Sequence, residues 1–509
     1  MKRTRSLSAR SLWLMVAMVV AKGIGAADRL PLTNLLGTEG MGGYQLVFPV
    51  YALLLALSST AVPTMLSRQI VRSPSFGYAV FRRALTLMLW IGLGATLLLS
   101  ALAVPLSSAQ GYPAMWRGYL ALAPALLFVA LAAPFRGWLQ ANLHTGALSG
   151  AVLVEQLTKL CGLGFAYLLR TRSLALAVAG ALFGVTLSEL LCFLWVLVAY
   201  RALGYRLSTP SVLLPIRPVL KATLPYTLSS AVMPVVGFFD SLLLVRLFSL
   251  TMPLESAVSG YGLLTGAVGT LVNLPVVLTL AFVTTVIPLV ARALSSRSLE
   301  GVRSNSSRTL LSVLCLSLPS SVLLALLAPR LLPLLYPTLS PSAPRLGSFL
   351  LALSAATVPL TSLGQVYAAL LGAVDRAGQS ARNQALAGGA KLLASLALIP
   401  LLGLYGAVAA QLVCHAVYLC SGYLSYRHRA GALSLSKPML FCTLSTLVMA
   451  LVVSLSVRFI PNNLLCVALN VLLAGAVYAI LLKISGVSIR HADKEKTHDH
   501  VGRNGNEQR

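Results

Sequence analysis

The stretch "AKGIGAADRLPLTNLLGTEG" at residues 21–40 decides the fold. It continues an apolar run that begins at Ser11, yet it carries Lys22, then Asp28 and Arg29, before a polar turn. A bilayer core about 30 Å thick requires about 20 apolar residues for one helical crossing. Charges inside such a segment are costly in lipid, so they point to a position in a helical bundle or to a functional site.

The whole chain has the composition of a membrane protein. Of its 509 residues, 57% are hydrophobic and only 10% are charged, with a mean hydropathy of +0.85. Soluble domains carry about 25% charged residues, so the ordinary globular class is excluded. The apolar segments predict an all-α polytopic membrane protein with 14 transmembrane helices. These helices are predicted at 11–34, 44–69, 84–106, 117–140, 147–170, 174–200, 218–248, 258–291, 308–330, 346–371, 384–402, 404–427, 437–458 and 463–484.

The Lys and Arg residues are distributed unevenly among the predicted loops. With the N-terminus in the cytoplasm, the inside segments hold 27 of the 39 Lys and Arg residues, the outside segments hold seven, and five lie within helices. This is the positive-inside bias, and it alternates cleanly only with an even number of helices. The net charge of +27 therefore orients the chain against anionic lipid, and nucleic acid is not an expected partner. We expect a multi-pass membrane protein with both termini in the cytoplasm.

The N-terminus also has the order of a secretory signal peptide. A basic stretch precedes an apolar segment, and small residues follow near Gly25–Ala27. Cleavage there would leave 13 helices and disrupt the alternation of charge, so an uncleaved first helix is the preferred interpretation. The seven cysteines lie inside predicted helices and form no CxxC pair, a pattern that favours neither a disulfide framework nor a metal site. The sequence predicts no cofactor.

An internal repeat divides the predicted helices into two lobes. The segments "AADRLPL" (26–32) and "GFFDSLLLV" (237–245) each place an Asp in the opening helix of a lobe, and each is followed by a Gly-Tyr helix start. Because six is an even number, the two six-helix lobes are expected to be parallel and related by a pseudo-two-fold axis along the membrane normal. The predicted units are helices 1–6 in 1–206, helices 7–12 in 207–430, helices 13 and 14 in 431–486, and a disordered cytoplasmic tail in 487–509.

Nine charged residues lie in the interior of predicted helices, away from the helix ends. Each costs about 2.5–3.5 kcal/mol on insertion scales, so such groups usually face a bundle interior or water. One interpretation is structural, with pairs such as Glu155 and Lys159 at i,i+4. The other is functional, because the charges of 21–40 and Asp240 lie on the opening helices of the two lobes and would line a cleft between them. The nine residues are Lys22, Asp28, Arg29, Arg136, Glu155, Lys159, Glu189, Asp240 and Lys391.

The basic members of this set suit an anionic ligand. Arginine binds phosphate oxygens through two parallel hydrogen bonds, and lysine supplies a point charge. From Asp28, Glu155 and Asp240 we expect charge balance, or coupling to Na⁺ or H⁺. Gly and Pro residues in the first helix and before Asp240 permit bending, as in transporters that rock around a site at the bilayer midplane. The expected substrate contacts are Lys22, Arg29, Arg136, Lys159 and Lys391.

The sequence lacks the motifs of common enzymes. No Walker A, GxSxG or HExxH pattern is present, and the predicted outside loops contain only Glu39 and Glu255 as acids. A glycan-assembly enzyme of the outer face needs a catalytic acid or base there, so this class is less favoured than transport. A cation-coupled multidrug antiporter stays open, although it predicts an acidic cavity and the basic residues outnumber the acidic ones by five to four. A scaffold that transports nothing also stays open.

The segment at 22–70 resembles the start of stage V sporulation protein B-like polysaccharide exporters. The resemblance is most specific in Lys22 and in "RLPLTNLLGTEGMGGYQ" (29–45). A second segment, "PFRGWLQANLHTGALSGAVLVEQLTKL" (134–160), is similar to the family's fourth-to-fifth helix region. These exporters belong to the multidrug/oligosaccharidyl-lipid/polysaccharide flippase superfamily, together with the lipid II flippase and the MATE antiporters.

The resemblance implies a V-shaped fold of two lobes around a central cationic cavity. It also implies that the protein flips an undecaprenyl-pyrophosphate-linked cell-wall or polysaccharide precursor from the inner to the outer leaflet by alternating access. The essential basic residues on the first helix of lipid II relatives correspond here to Lys22 and, offset by about one place, to Arg29. Asp28 beside Arg29, and the lack of a clear Arg early in helix 2, depart from that pattern. The sugar, and a role in the vegetative wall or in sporulation, therefore stay open.

Overall fold

A computed structural model of the chain describes residues 2–208, 216–339, 343–374, 376–430 and 436–484. Within these ranges all regular structure is helical, which confirms the predicted all-α class. The predicted tail at 487–509 lies outside the described residues.

The first eight helices pack against one another and form what we call the first bundle. Two short 3₁₀ turns, Pro74–Phe76 and Pro113–Met115, precede its third and fifth helices. The helices are α1 Lys2–Ser58, α2 Val62–Arg72, α3 Gly77–Ala101, α4 Ala103–Ala109, α5 Trp116–Ala141, α6 Thr145–Lys159, α7 Cys161–Leu169 and α8 Leu174–Ala202.

The next eight helices form the second bundle, and the last two pack on its α12. A π-helical turn, Leu263–Val268, joins the second and third helices of this bundle. The helices are α9 Ile216–Phe248, α10 Leu254–Gly262, α11 Gly269–Ser295, α12 Leu299–Leu335, α13 Ala343–Ser354, α14 Thr357–Ala373, α15 Ala377–Leu402 and α16 Leu404–Ala430, followed by α17 Ser436–Phe459 and α18 Asn463–Ile484.

Thirteen helical segments of the described chain are long and apolar enough to cross a membrane, so the protein is a multi-pass membrane protein. The first segment, Gly23–Arg72, is 50 residues long and contains the second half of the first predicted crossing and the whole of the second. Helix α1 begins at Lys2 and so also covers the first half of the first predicted crossing. The other twelve segments correspond one to one to the remaining predicted helices. Within α1, Gly37 has a φ of 68° and interrupts the helix between its two crossings. Glycine adopts this left-handed conformation without the steric cost that a Cβ brings.

A second left-handed glycine separates two neighbouring helices. Gly403, with a φ of 56°, ends α15 and is followed directly by α16. The apolar stretch from 384 to 427 is therefore two antiparallel helices, as predicted, rather than one long helix. Because only one residue joins them, α15 and α16 pack along their lengths.

The two bundles share part of one hydrophobic core. Leu46 of α1 is fully buried and belongs to the same cluster as Val258, Tyr261 and Leu404 of the second bundle. The second half of α1 thus lies between the bundles, and its side chains pack against both. This placement brings the charged first half of α1 close to the interface.

Candidate functional site

An ion pair lies inside the first bundle. The Nη2 atom of Arg136 in α5 lies 2.9 Å from Oε2 of Glu155 in α6. The same nitrogen donates to the Sγ atom of Cys192 in α8 at 2.7 Å. Gln156 donates from Nε2 to the other oxygen of Glu155 at 3.3 Å. Three helices thus meet at one guanidinium, and pairing of this kind is how ionised side chains are accommodated within membranes.

Glu189 and Lys159 lie near this ion pair. We call the four residues Arg136, Glu155, Lys159 and Glu189 the first cluster. Glu189 of α8 is 7% exposed, interacts electrostatically with all three of the others, and has no hydrogen-bond partner for Oε2 among the described groups. The Nζ atom of Lys159 lies 5.5 Å from the ring centroid of Phe48 in α1, within the range of a cation–π contact. Lys159 forms no ion pair with any described side chain.

The first half of α1 passes close to this cluster. A Cβ on Gly25 would lie 2.7 Å from Oε1 of Gln156, so the glycine permits α1 to approach α6. Asp28, three residues later, is 8% exposed and interacts electrostatically with Lys159 and then with Arg29. Its Oδ1 atom has no hydrogen-bond partner among the groups the structure describes. A buried carboxylate oxygen without a donor is available to a cation, a proton or a water molecule.

Arg29 lies on the side of α1 that faces the second bundle. It is half-buried and interacts electrostatically with Tyr336, which follows the end of α12. Five residues further along, Asn34 donates from Nδ2 to the Leu335 carbonyl at 2.7 Å. Arg29 is therefore a residue of the contact between the bundles rather than of the first cluster. The side chain of Lys22 lies outside those that the structure describes.

A second ion pair lies inside the second bundle. Lys391 of α15 bonds through Nζ to Oδ2 of Asp240 in α9, and these side chains are 14% and 13% exposed. Nearby in α16, Nε2 of His415 lies 2.6 Å from Nε2 of Gln411. We call these four residues the second cluster. The charges of its carboxylate and ammonium cancel, so the pair leaves the interior of the bundle close to neutral.

The second cluster lines a cavity of about 300 Å³. Helices α9, α10, α11, α13, α14, α15 and α16 contribute to its wall, together with the π-helical turn. The cavity lies directly behind α1, because the carbonyl of Thr265 in its wall accepts a hydrogen bond from Gln45 at 3.0 Å. Most of its uncharged polar lining consists of hydroxyl and amide side chains, namely Thr265, Asn273, Ser354, Thr357, Thr361, Ser395 and Gln411.

The bundles are joined where α1 crosses α10. A Cβ on Gly262 would overlap the carbonyl oxygen of Thr38 and the backbone of Gly42, so the crossing requires glycine. Hydrogen bonds reinforce this contact away from the crossing itself. Gln110, which is fully buried, donates to the Leu46 carbonyl at 2.8 Å and to Oγ of Ser241 in α9 at 3.1 Å. In the orientation predicted from charge, this is the outer end of the molecule.

The structure divides the predicted site residues between two places and does not gather them in one. The opening helices do touch, since Pro49 of α1 lies against Gly237 of α9, but Asp28 lies beside the first cluster and Asp240 belongs to the second. Glu155 pairs with a base from another helix rather than with Lys159 one turn later. The first bundle holds Asp28, Arg136, Glu155 and Lys159, the second holds Asp240 and Lys391, and Arg29 lies at the contact.

Three members of the clusters, and Cys192 beside the first cluster, received no role from the sequence. Glu189 was recognisable as a charge inside an apolar helix, but nothing in its neighbourhood along the chain suggested a partner. Gln411 and His415 are four residues apart, a spacing that places them on one helix face and could have been noticed. Cys192 gave no signal, because a cysteine in an apolar helix usually acts as a small hydrophobic residue.

Sequence comparison gives a family and one named relative. Residues 7–294 match the family described as polysaccharide biosynthesis protein. Stage V sporulation protein B of Bacillus subtilis (strain 168) is 21% identical over 350 residues, which are 64% of this chain and 66% of that protein. The matched part is thus slightly less than two thirds of the length of that relative.

Solved structures with the same architecture include three transporters. The lipid II flippase MurJ in an inward closed conformation has a TM-score of 0.76 at 14% identity, covering 93% of this chain and 98% of its own. An inward-facing multidrug resistance MATE family transporter has a TM-score of 0.67 at 18% identity, covering 83% of this chain and 98% of its own. A MOP superfamily transporter from Pyrococcus furiosus has a TM-score of 0.61 at 19% identity, covering 84% of this chain and 96% of its own. These likenesses show the fold, and the family match extends over more than half of the chain, so this protein belongs to the polysaccharide biosynthesis protein family.

Proposed function

We propose that this protein is a flippase that moves an undecaprenyl-pyrophosphate-linked cell-wall or polysaccharide precursor, similar to lipid II, from the inner to the outer leaflet. The observation that carries the proposal is the architecture shared with a lipid II flippase over 93% of this chain and 98% of that one. Membership of the polysaccharide biosynthesis protein family and the likeness to stage V sporulation protein B support the same class of substrate.

The pyrophosphate is assigned to the basic residues of α1 and of the two clusters. Arg29 and Lys159 are the first contacts, because neither forms an ion pair with a described side chain, so an incoming anion need not displace a paired carboxylate. The bases already paired with a carboxylate join them only if the substrate takes over the place of the carboxylate. The full set is Lys22, Arg29, Arg136, Lys159 and Lys391.

The acidic residues balance these charges or couple transport to an ion. Glu155 and Asp240 each hold a base in place, which favours charge balance for both. Asp28 has a buried oxygen without a donor among the described groups, which favours binding of H⁺ or Na⁺ there. Oε2 of Glu189 and Oδ1 of Asp240 share this property, but Glu189 forms no ion pair with a described side chain and is therefore the second candidate for ion coupling.

Alternating access in this molecule is a movement of one lobe against the other. The proposed lobes are 1–206 and 207–430, with the helices of 431–486 attached to the second lobe and both termini in the cytoplasm of a bacterium. The bundles are joined at the crossing of α1 and α10, which is the outer end in this orientation. Breaking that crossing while the opposite ends close would transfer the bound head group from the inner to the outer side.

The decisive experiment measures which leaflet holds the precursor. In cells depleted of the protein, lipid II accessible from outside is expected to fall, and the wild-type gene should restore it. The charge reversals Lys22→Glu and Arg29→Glu should fail to restore it although the variants reach the membrane at normal levels. Arg458→Gln, which changes an exposed Arg at the end of α17, is the matched control and should behave as wild type.

Unchanged outer lipid II after depletion would exclude lipid II as the substrate. The same assay with other polyprenyl-linked saccharides would then identify the sugar, and an absence of any leaflet defect would contradict a flippase.

A cation-coupled multidrug antiporter is the second candidate. The unpartnered carboxylate oxygens of Asp28 and Glu189 favour it, because a cationic drug or a proton is a natural ligand for a buried acid. Efflux of a cationic dye that is lost with Asp28→Asn would support this function. Retained dye in wild-type vesicles under both a proton and a sodium gradient would argue against it.

A further inference from the structure

A groove of about 600 Å³ lies between the end of α12 and the start of α13. On α12 it is lined by Ala325, Pro329 and Pro333, which are spaced four residues apart and so share one helix face. On α13 it is lined by Pro344, Arg345, Ser348, Phe349 and Ala352. The groove is separate from both clusters, since its residues belong to α12 and α13, whereas the ion pairs lie on α5, α6, α9 and α15.

The sequence explains why no side chain of the described residues fills this groove. Two prolines and an alanine give α12 a face without any long side chain, and Ala352 does the same one turn below Phe349. Phe349 is 59% exposed, so its ring forms a wall of the groove rather than a plug. Ser348 does not offer its hydroxyl to a ligand, because it is bonded to the Pro344 carbonyl at 2.6 Å.

The groove has one charge, at one end. Arg345 is exposed and forms no ion pair with any described side chain. Ala352 lies seven residues further along α13, so the apolar part of the groove extends about 10 Å from the arginine along the helix. The end of α12 is close to the membrane surface, because Arg330 donates to the Pro461 carbonyl in the turn between α17 and α18 at 3.1 Å. The groove thus runs from the interface toward the hydrocarbon core.

We propose that this groove binds an anionic phospholipid of the surrounding bilayer, with the phosphate on Arg345 and one acyl chain along Phe349, Ala352 and the proline face of α12. An exposed guanidinium at the membrane interface attracts a lipid phosphate and can bind two of its oxygens. The apolar floor below it matches the acyl chain, which in a bilayer is the only abundant material that can occupy an apolar groove at that depth. Charge complementarity at one end and depth at the other therefore select a lipid over a soluble phosphate.

The test counts lipid molecules retained by the purified full-length protein in native mass spectra. Dioleoyl-phosphatidylglycerol is added in steps, with dioleoyl-phosphatidylcholine as the zwitterionic comparison. Wild type is expected to retain phosphatidylglycerol in preference to phosphatidylcholine. Arg345→Gln should lose about fivefold in apparent affinity for phosphatidylglycerol, the effect of one basic residue at a membrane surface. Arg345→Lys should retain most of the preference.

Two further variants separate the head group from the chain. Ala325→Phe fills the groove and should lower retention of both lipids, with size-exclusion chromatography confirming that the variant is folded. Arg458→Gln removes a charge on the same face of the membrane but outside the groove, and should change nothing.

Equal retention of phosphatidylglycerol by wild type and Arg345→Gln would overturn the proposal. Displacement of the lipid by undecaprenyl phosphate at equal concentration in wild type but not in Arg345→Gln would also overturn it, since the groove would then belong to the transported molecule.

Discussion

Arg136 holds three helices together through one guanidinium, which bonds to Glu155 and Cys192. Removing the guanidinium leaves a carboxylate in the bundle without its charged donor, and a hydrogen bond to a charged group contributes about 1.5–3 kcal/mol. Arg136→Gln should therefore lower stability in detergent by about 2 kcal/mol. Arg136→Gln/Glu155→Gln should recover much of this loss, because the uncompensated charge is gone. A double-mutant cycle from SDS unfolding measures the coupling. Additive effects of the two changes would contradict a direct ion pair.

The pair of Asp240 and Lys391 is more deeply buried and should show a larger effect. Breaking such a pair from one side costs about 3–5 kcal/mol, since it strands a charge in a low-dielectric interior. Lys391→Met should thus destabilise the protein strongly, and Asp240→Asn/Lys391→Met should be much closer to wild type. The melting temperature in detergent is the measurement. Arg382→Gln, an exposed residue on the same helix, is the control and should leave that temperature unchanged.

At the scale of elements, the crossing of α1 and α10 depends on glycine at its closest point. Gly262→Ala places a methyl group against the Thr38 carbonyl, and overpacking of this kind costs about 1–3 kcal/mol. The contact between the bundles should loosen, so a cysteine at Asn34→Cys should react faster with a maleimide that does not cross the membrane. Gly389→Ala is the matched control, because nothing lies within 4 Å of the added methyl group. An unchanged labelling rate in Gly262→Ala would show that the crossing does not limit access to this end.

Most of the elements could be predicted from the sequence because lipid imposes a minimum apolar length on each crossing. The positions at which these helices begin and end could not be predicted in the same way. Helix α12 begins at Leu299, well before the predicted 308, because its first turns are helical but polar, and hydropathy does not detect polar turns.

The two clusters could not be predicted from the sequence either. Arg136 and Glu155 are 19 residues apart, and Asp240 and Lys391 are 151 apart, so no local spacing marks them as partners. The nearest local alternative, Glu155 with Lys159, is not the pair that forms.

At the scale of the whole molecule, the contact between the bundles can be locked. The hydroxyl of Thr338, after α12, donates to Oδ1 of Asn34 in α1 at 2.9 Å. In a background lacking the seven native cysteines, Asn34→Cys/Thr338→Cys should form a disulfide on oxidation. If the bundles must separate here during each cycle, oxidation should stop transport of the precursor and a reductant should restore it. Each single-cysteine variant should be insensitive to the oxidant. Full transport by the cross-linked protein would rule out opening at this end.

The even number of crossings that the sequence predicts has a consequence for topology. Both termini should lie on the cytoplasmic side, because the basic loops alternate with loops that carry few Lys or Arg residues. Reporter fusions after residues 206, 430 and 484 should all report a cytoplasmic position, whereas fusions after 252 and 461 should report the outside. A fusion that reports the side opposite to the one predicted would mean that a segment counted as a crossing does not cross the membrane.

The ammonium of Lys391 at Asp240 has a consequence for the energetics of the cycle. A carboxylate neutralised by a dissolved cation is occupied only as far as the concentration of that cation allows. Here the counter-ion is carried by the chain itself, so its local concentration is set by the fold and stays the same whatever the medium contains. The charge balance of the second bundle therefore does not require sodium from the surroundings. We expect any dependence of transport on an external cation to arise in the first bundle, where Asp28 and Glu189 form no ion pair with a described side chain.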